Sequence, residues 1–241
     1  MTTYSIPTER PVKHPAPFSL PIIDAIETEL YRWGRPELVL DPFAGIGRIF
    51  ALASSCDIVG AEIQHRWARE CLPQMIVVAN AKALPFRPGT FDGIVTSPCY
   101  GNRFADHHNA KDGSERRSYK HDLGEDPHPD SAATLHWSPA YRRAHRMYWA
   151  EILRVCRPGA LLIINLSNHI RKDVERLVVE WHLVWFLSHG CQLLDVVPVE
   201  TSRMRKGAHH RARVHNEFVL VLRAPNPSLA EEGDIYGDHE R

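Results

Sequence analysis

Leu38-Val39-Leu40-Asp41-Pro42-Phe43-Ala44-Gly45-Ile46-Gly47-Arg48 is an apolar run that ends on an acid and turns through two glycines. It reads as a buried parallel strand passing into a helix. At such a turn a ligand can approach backbone N–H groups, which makes it the usual binding crevice of an open α/β sheet. Gly45 and Gly47 permit that approach because neither carries a Cβ. A plain strand-to-helix turn has the same pattern, so the flanking sequence has to decide.

Upstream, Leu20, Ile22, Ile23, Ile26, Leu30 and Trp33 recur along one helical face, and Gly34 to Pro36 ends that helix before a strand at Glu37 to Asp41. Downstream, a helix is expected from Ile46 to Ser55. Asp57 to Glu62 and a helix from Gln64 to Cys71 form a second β-α unit. Met75 to Val78 and Phe91 to Thr96 read as the third and fourth strands. This alternation predicts an α/β fold with a parallel, doubly wound sheet.

Residues 98–138 interrupt the rhythm with glycines, prolines and five histidines, and read as a long active-site loop. A helix from Pro139 to Cys156 follows, its Tyr141, Tyr148 and Trp149 assigned to the core, then a strand from Leu161 to Leu166. Asp173 to His189 is expected as an amphipathic helix. Leu193 to Val199 and Phe218 to Leu222 have no helical pattern between them and predict an antiparallel edge hairpin. Residues 1–17, with four prolines, read as an extended arm; 18–224 form one domain, and 225–241 an acidic disordered tail.

Lys plus Arg and Asp plus Glu are balanced at 29 each, so nucleic-acid affinity would have to come from a local basic patch. The five cysteines are dispersed and contain no C-x-x-C pair, which argues against a disulfide framework or zinc ribbon and fits a reducing cytoplasm. No apolar run has the length of a membrane span, and no signal core is present. His107, His108, His121 and His128 lack the paired spacing of a zinc site, so no metal is expected.

The chemistry-bearing residues sit at strand ends. Glu62, ending the second strand, can accept both hydroxyls of a ribose. Asn80, in Ala79-Asn80-Ala81, could pair with an adenine amino group, although a turn-forming Asn reads the same way. Thr96-Ser97-Pro98-Cys99-Tyr100-Gly101-Asn102 follows the fourth strand at the same edge.

Together, Asp41-Pro42-Phe43-Ala44-Gly45-Ile46-Gly47, Glu62-Ile63, Asn80-Ala81 and the Ser-Pro-x-Tyr element resemble motifs I to IV of class I S-adenosylmethionine-dependent methyltransferases, specifically the DNA amino-methyltransferases. The resemblance spans residues 13 to 223 and includes a Rossmann-like, mostly parallel seven-stranded sheet with an antiparallel terminal hairpin. It implies S-adenosylmethionine as cofactor, and methyl transfer to cytosine N4 or adenine N6. Asp41 would then take the methionine ammonium, the helix starting near Ile46 would face the carboxylate, and His14 would lie beside the methionine end. Ser97 and the Pro98 carbonyl would accept hydrogen bonds from the target amine, with Tyr100 stacked on the base.

One position departs from the family: Cys99 stands where a second proline is usual. The Pro-Cys dipeptide resembles the nucleophile loop of pyrimidine C5 methyltransferases, but Ile163 to Ser167 carries no glutamate for the ring nitrogen, and Cys99 reads as a packing residue. An RNA base and a non-catalytic cofactor-binding role are further alternatives. Nucleic acid, DNA ahead of RNA, would be held by Arg203, Arg205, Lys206, Arg211 and Arg213 in the acid-free hairpin loop 201–215, and by Arg103, Arg116, Arg117 and Lys120. No target-recognition domain follows the last strand, which leaves recognition to these loops or to a separate partner.

Overall fold

The computed structural model describes residues 14, 18–72, 74–101, 118–200 and 214–226. Helix α1 (Leu20–Trp33) follows Ser19 and carries a proline in its first turn, where a missing N–H costs nothing; Gly34 ends it. Strands β1 (Leu38–Asp41), β2 (Asp57–Glu62), β3 (Ile76–Val78) and β4 (Phe91–Thr96) come next, with the short helix α2 (His65–Glu70) between β2 and β3. Beyond β4 lie α3 (Tyr119–Leu123), α4 (Pro139–Val155), β5 (Cys156–Leu166), a small hairpin of β6 (His169–Arg171) and β7 (Val174–Arg176), α5 (Val178–Ser188), β8 (Gln192–Glu200) and β9 (Asn216–Arg223).

Seven strands form one sheet in the order β3-β2-β1-β4-β5-β9-β8. The first five are parallel, and β9 runs antiparallel to both β5 and β8. This is the mostly parallel sheet with a terminal hairpin that the sequence predicts. Because β1 pairs with β2 on one side and β4 on the other, the winding reverses there, and a crevice opens beyond the carboxyl ends of these strands.

Alternation along the strands divides the core into two layers. Val39, Val95, Ile163 and Val221 face α1, through Ile22, Ile26 and Leu30. Leu40, Ile94, Leu162, Ile164 and Leu220 face Trp149 and Ile152 of α4 and Phe186 of α5. Tyr141, Tyr148 and Trp149 are buried, as expected of core residues. Ser138 caps α4 by accepting the Tyr141 N–H at 3.3 Å.

Three local expectations are corrected. The helix expected from Ile46 to Ser55 is a 3-10 turn over Arg48–Leu52, because left-handed Gly47 (φ 76°) delays its start. Ser54 and Ser55, which favour turns, then end it. Loop 98–138 contains α3 and a 3-10 turn over Ala132–Thr134. The helix expected from Asp173 starts only at Val178: Lys172 and Asp173 have φ of 52° and 57°, a primed hairpin turn made without the usual glycine. Nor is α5 strictly amphipathic, since Val184 and Leu187 are exposed. The arm before His14, residues 102–117, hairpin loop 201–213 and tail 227–241 lie outside the described residues. Among the described residues no helix is long and apolar enough to cross a membrane.

Candidate active site

An open cleft lies at the carboxyl edge of the sheet, where open α/β sheets bind their ligands. Of the residues singled out in the sequence, His14, Pro42, Phe43, Ala44, Gly45, Glu62, Ile63, Asn80, Ala81, Ser97, Pro98, Cys99 and Tyr100 line it. The ends of β1, β2, β3 and β4 supply all of them but His14, which lies ahead of α1, so residues scattered from Pro42 to Tyr100 share one surface because parallel strands end together.

Gly45 (φ 55°) forms the floor, and a Cβ there would lie 3.1 Å from His14 Nε2. The His14 ring therefore sits directly on the glycine turn, edge-on to Trp67 at 4.5 Å and Tyr119 at 5.4 Å. Gly47 does not line the cleft. Its φ is 76°, and a Cβ there would meet Cys71 Sγ at 2.9 Å, so its role is to let the turn pack on α2.

Two buried acids brace this turn. Asp41 does not line the cleft: its Oδ1 accepts the Phe43 N–H at 3.0 Å and the Thr96 hydroxyl at 2.6 Å, joining the ends of β1 and β4. Glu62 Oε2 accepts the Gly45 N–H at 2.8 Å, and Oε1 accepts the Gln64 N–H at 2.7 Å. Burial pushes both carboxyls up to about 7, against the pull of these hydrogen bonds. A cationic ligand in the cleft beside Glu62 would restore the ionisation of that carboxyl.

At the β3 end, Asn80 Oδ1 accepts the Lys82 N–H at 3.0 Å, and its amide reaches Asp130 at 3.3 Å. Lys82 Nζ pairs with Asp130 at 2.8 Å and holds that carboxyl below its usual range. The segment after α3 is thereby strapped over the cleft. Gln64 holds it too, donating to Glu125 at 2.8 Å and accepting the His128 N–H at 2.9 Å, while Arg66 donates to the Leu123 carbonyl.

On the far side, Ser97 Oγ and Tyr100 Oη lie 2.7 Å apart. The Tyr100 hydroxyl donates to Glu217 Oε2 at 3.1 Å, and Asn165 Nδ2 donates to both at 2.8 Å. Cys99 Sγ faces the Tyr119 hydroxyl at 3.4 Å, and burial pushes its thiol up to about 11. That is the environment of a packing cysteine and the opposite of an activated nucleophile.

Sequence reasoning missed Trp67, Tyr119, Asp130, Ser131 and Tyr148, which also line the cleft, and Asn165 and Glu217 behind it. Only Asn165, ending a strand at the active edge, offered a usable signal. Lys120 is on the exposed face of α3 and pairs with Asp126 at 2.6 Å. Arg103, Arg116, Arg117, Arg203, Arg205, Lys206, Arg211 and Arg213 lie outside the described residues.

No family model and no curated protein sequence matches the chain. Solved structures do match in shape. An S-adenosylmethionine-dependent methyltransferase from Methanosarcina mazei superposes with a TM-score of 0.53 at 11% identity, over 82% of this chain and 97% of that one. The chain has the Rossmann-like fold of the class I methyltransferases. The [4+2]-cyclase SpnF shares this methyltransferase fold (TM-score 0.51, 15% identity, 85% and 82% of the two chains). So does the PH0226 protein from Pyrococcus horikoshii OT3 (TM-score 0.50, 14% identity, 84% and 89%). Since the fold also carries a cyclase, the reaction has to be argued from the site.

Proposed function

We propose that the protein is an S-adenosylmethionine-dependent methyltransferase acting on an exocyclic amine of a nucleobase, in DNA ahead of RNA. The residues of the cleft fit the cofactor. The His14 ring fills the space a Cβ would take at Gly45 and borders the methionine end, and the buried Glu62 carboxyl in the cleft wall suits a ligand carrying ammonium and sulfonium charge. Glu62 keeps lone pairs for ribose hydroxyls, and Asn80 with Asp130 borders the adenine end. Bound there, the cofactor supplies an electrophilic methyl group.

The observation that carries the substrate reading is the Ser97-to-Tyr100 turn. Ser97, Pro98 and Tyr100 all line the cleft, and residues of these types can offer a hydroxyl, a backbone carbonyl and an aromatic ring to a bound base. An exocyclic amine is a weak nucleophile because its lone pair is delocalised into the ring. Acceptors at its N–H groups localise that pair, a stacked ring fixes its direction, and alignment supplies much of the acceleration. The Cys99 thiol, pushed up to about 11 and so held neutral, weighs against ring attack at C5.

The test is incubation with tritiated cofactor and single- or double-stranded DNA or RNA, followed by digestion to nucleosides. The expected product is N4-methylcytosine or N6-methyladenine in DNA. Label at cytosine C5 or only in RNA replaces the substrate assignment, and no transfer to any nucleic acid overturns it.

A further inference from the structure

Glu217 belongs to none of the motifs that point to the cofactor, yet topology brings it to the reacting edge. Strand β9 runs antiparallel to β5, with Phe218 opposite Leu166, so β9 begins where β4 and β5 end. There the Glu217 carboxylate, the Tyr100 hydroxyl and the Ser97 hydroxyl form a line, with contacts of 3.1 Å and 2.7 Å.

The direction of the line follows from counting protons. The single hydroxyl proton of Tyr100 is donated to Glu217, so the bond between Ser97 and Tyr100 is donated by Ser97. Ser97 Oγ then presents acceptor capacity to the cleft it lines. Asn165 Nδ2 donates to Tyr100 Oη and Glu217 Oε2, both at 2.8 Å, and reaches Ser97 Oγ at 3.4 Å, so one amide holds all three oxygens in place and leaves Ser97 a second lone pair for the cleft.

We propose that Ser97, Tyr100 and Glu217 form a proton relay in which Glu217 receives the proton shed by the methylated amine. This rests on the amine-methylation reading above. The amine lone pair forms the new N–C bond as the methyl–sulfur bond breaks and its electron pair stays on sulfur. The nitrogen, now cationic and strongly acidic, loses one N–H proton to Ser97 Oγ. Ser97 passes its own proton to Tyr100 Oη, Tyr100 passes its own to Glu217 Oε2, and the carboxyl, half-buried at the strand end, returns it to solvent. The acceptor must therefore carry at least one N–H, and Glu217 acts through Tyr100 as a positioning and proton-receiving residue.

The test compares wild-type protein, E217Q and E217D in single-turnover methyl transfer to a DNA oligonucleotide between pH 4 and 9, with cofactor affinity by calorimetry and thermal unfolding measured alongside. Gln keeps the shape and the hydrogen bonds but takes no proton. E217Q should slow transfer by about 100-fold and abolish the loss of rate at low pH. E217D should keep that low-pH limb and restore part of the rate, while both variants bind cofactor within twofold of wild type and unfold at the same temperature. Wild-type rate and pH profile in E217Q, or loss of rate only in step with cofactor binding and stability, overturns the relay while leaving amine methylation standing. A wild-type protein that transfers no methyl to nucleic acid overturns both together.

Discussion

Gly45 donates its N–H to Glu62 Oε2 at 2.8 Å across 17 positions of sequence. The acid ending β2 thereby fixes the glycine turn after β1, and with Gln64 N–H on Oε1 at 2.7 Å it holds the start of α2 as well. Turn and acid are one unit, so a change at Glu62 disturbs the glycine turn and the start of α2 together.

Glu62→Ala should weaken cofactor binding by about 1 to 3 kcal/mol and lower stability by a similar amount, because two buried N–H groups lose their acceptor. Glu62→Gln retains one acceptor but turns an NH2 towards a backbone donor, and should fall between Ala and wild type. Calorimetry and thermal unfolding read the two effects separately. A fall in stability with unchanged affinity would reduce Glu62 to a brace.

The raised carboxyls of Asp41 and Glu62 set a pH dependence. A folded-state pKa of about 7, against ordinary values of 3.8 and 4.5, favours the folded protein while both are protonated. That contribution is lost as pH rises from about 4 through about 7. A cationic cofactor beside Glu62 would lower the pKa of that carboxyl again, so its affinity should rise with pH up to about 7 and then level off, with proton release on binding near pH 6. Calorimetry in buffers of different ionisation enthalpy measures that release; proton uptake would contradict it.

Cys99 should be replaceable. With its thiol pushed up to about 11, only about one molecule in ten thousand carries the thiolate at pH 7. Cys99→Ala should keep methyl transfer within about tenfold of wild type, the loss coming from the packing against the clusters that hold Tyr119 and Tyr148. Abolished transfer, with a covalent adduct in wild type on a 5-fluoropyrimidine oligonucleotide, would identify a nucleophile.

In the basic loop, Arg205→Ala combined with Arg211→Ala should flatten the salt dependence of DNA binding, each lost phosphate contact lowering the slope of log K against log salt by about 0.9. Filter binding between 50 and 200 mM salt reads this. An unaltered slope removes the loop from the interface.

What the sequence disclosed follows from the kind of signal involved. The order of strand ends was legible because parallel strands are apolar runs that stop on polar residues, as at Asp41, Glu62 and Thr96. The cleft residues on those ends were legible with them. Glu217 was not, because an antiparallel return strand reaches the active edge at its amino end, where no cofactor motif marks it. Trp67 and Tyr119 were hidden differently: they gather around His14 only through tertiary packing, and neither spacing nor chemistry announces it. The β6–β7 turn escaped because Lys172 and Asp173 adopt positive φ without the Asn-Gly signature.

The turn carrying Cys99 is also held from behind, and this gives a last prediction. Trp149 Nε1 donates to His182 Nδ1 at 2.8 Å, so the His182 proton sits on Nε2 and is donated to Tyr141 Oη at 3.1 Å. The Tyr141 hydroxyl is then free to donate to the Cys99 carbonyl at 2.7 Å. The ring is fully buried, and burial holds it well below its ordinary pKa of 6.5, with neighbouring His145 pushed down to about 3. A lowered folded-state pKa stabilises the protein above the unfolded value and loses that contribution as pH falls below about 6.5. His182→Phe leaves the Trp149 N–H without an acceptor and should cost about 1 to 3 kcal/mol at pH 7.5. Phe takes no proton in the unfolded state, so the gap between variant and wild type should narrow as pH falls from 6.5 towards 4. Urea unfolding at each pH measures the gap, and a constant gap would mean that His182 does not titrate between the two states.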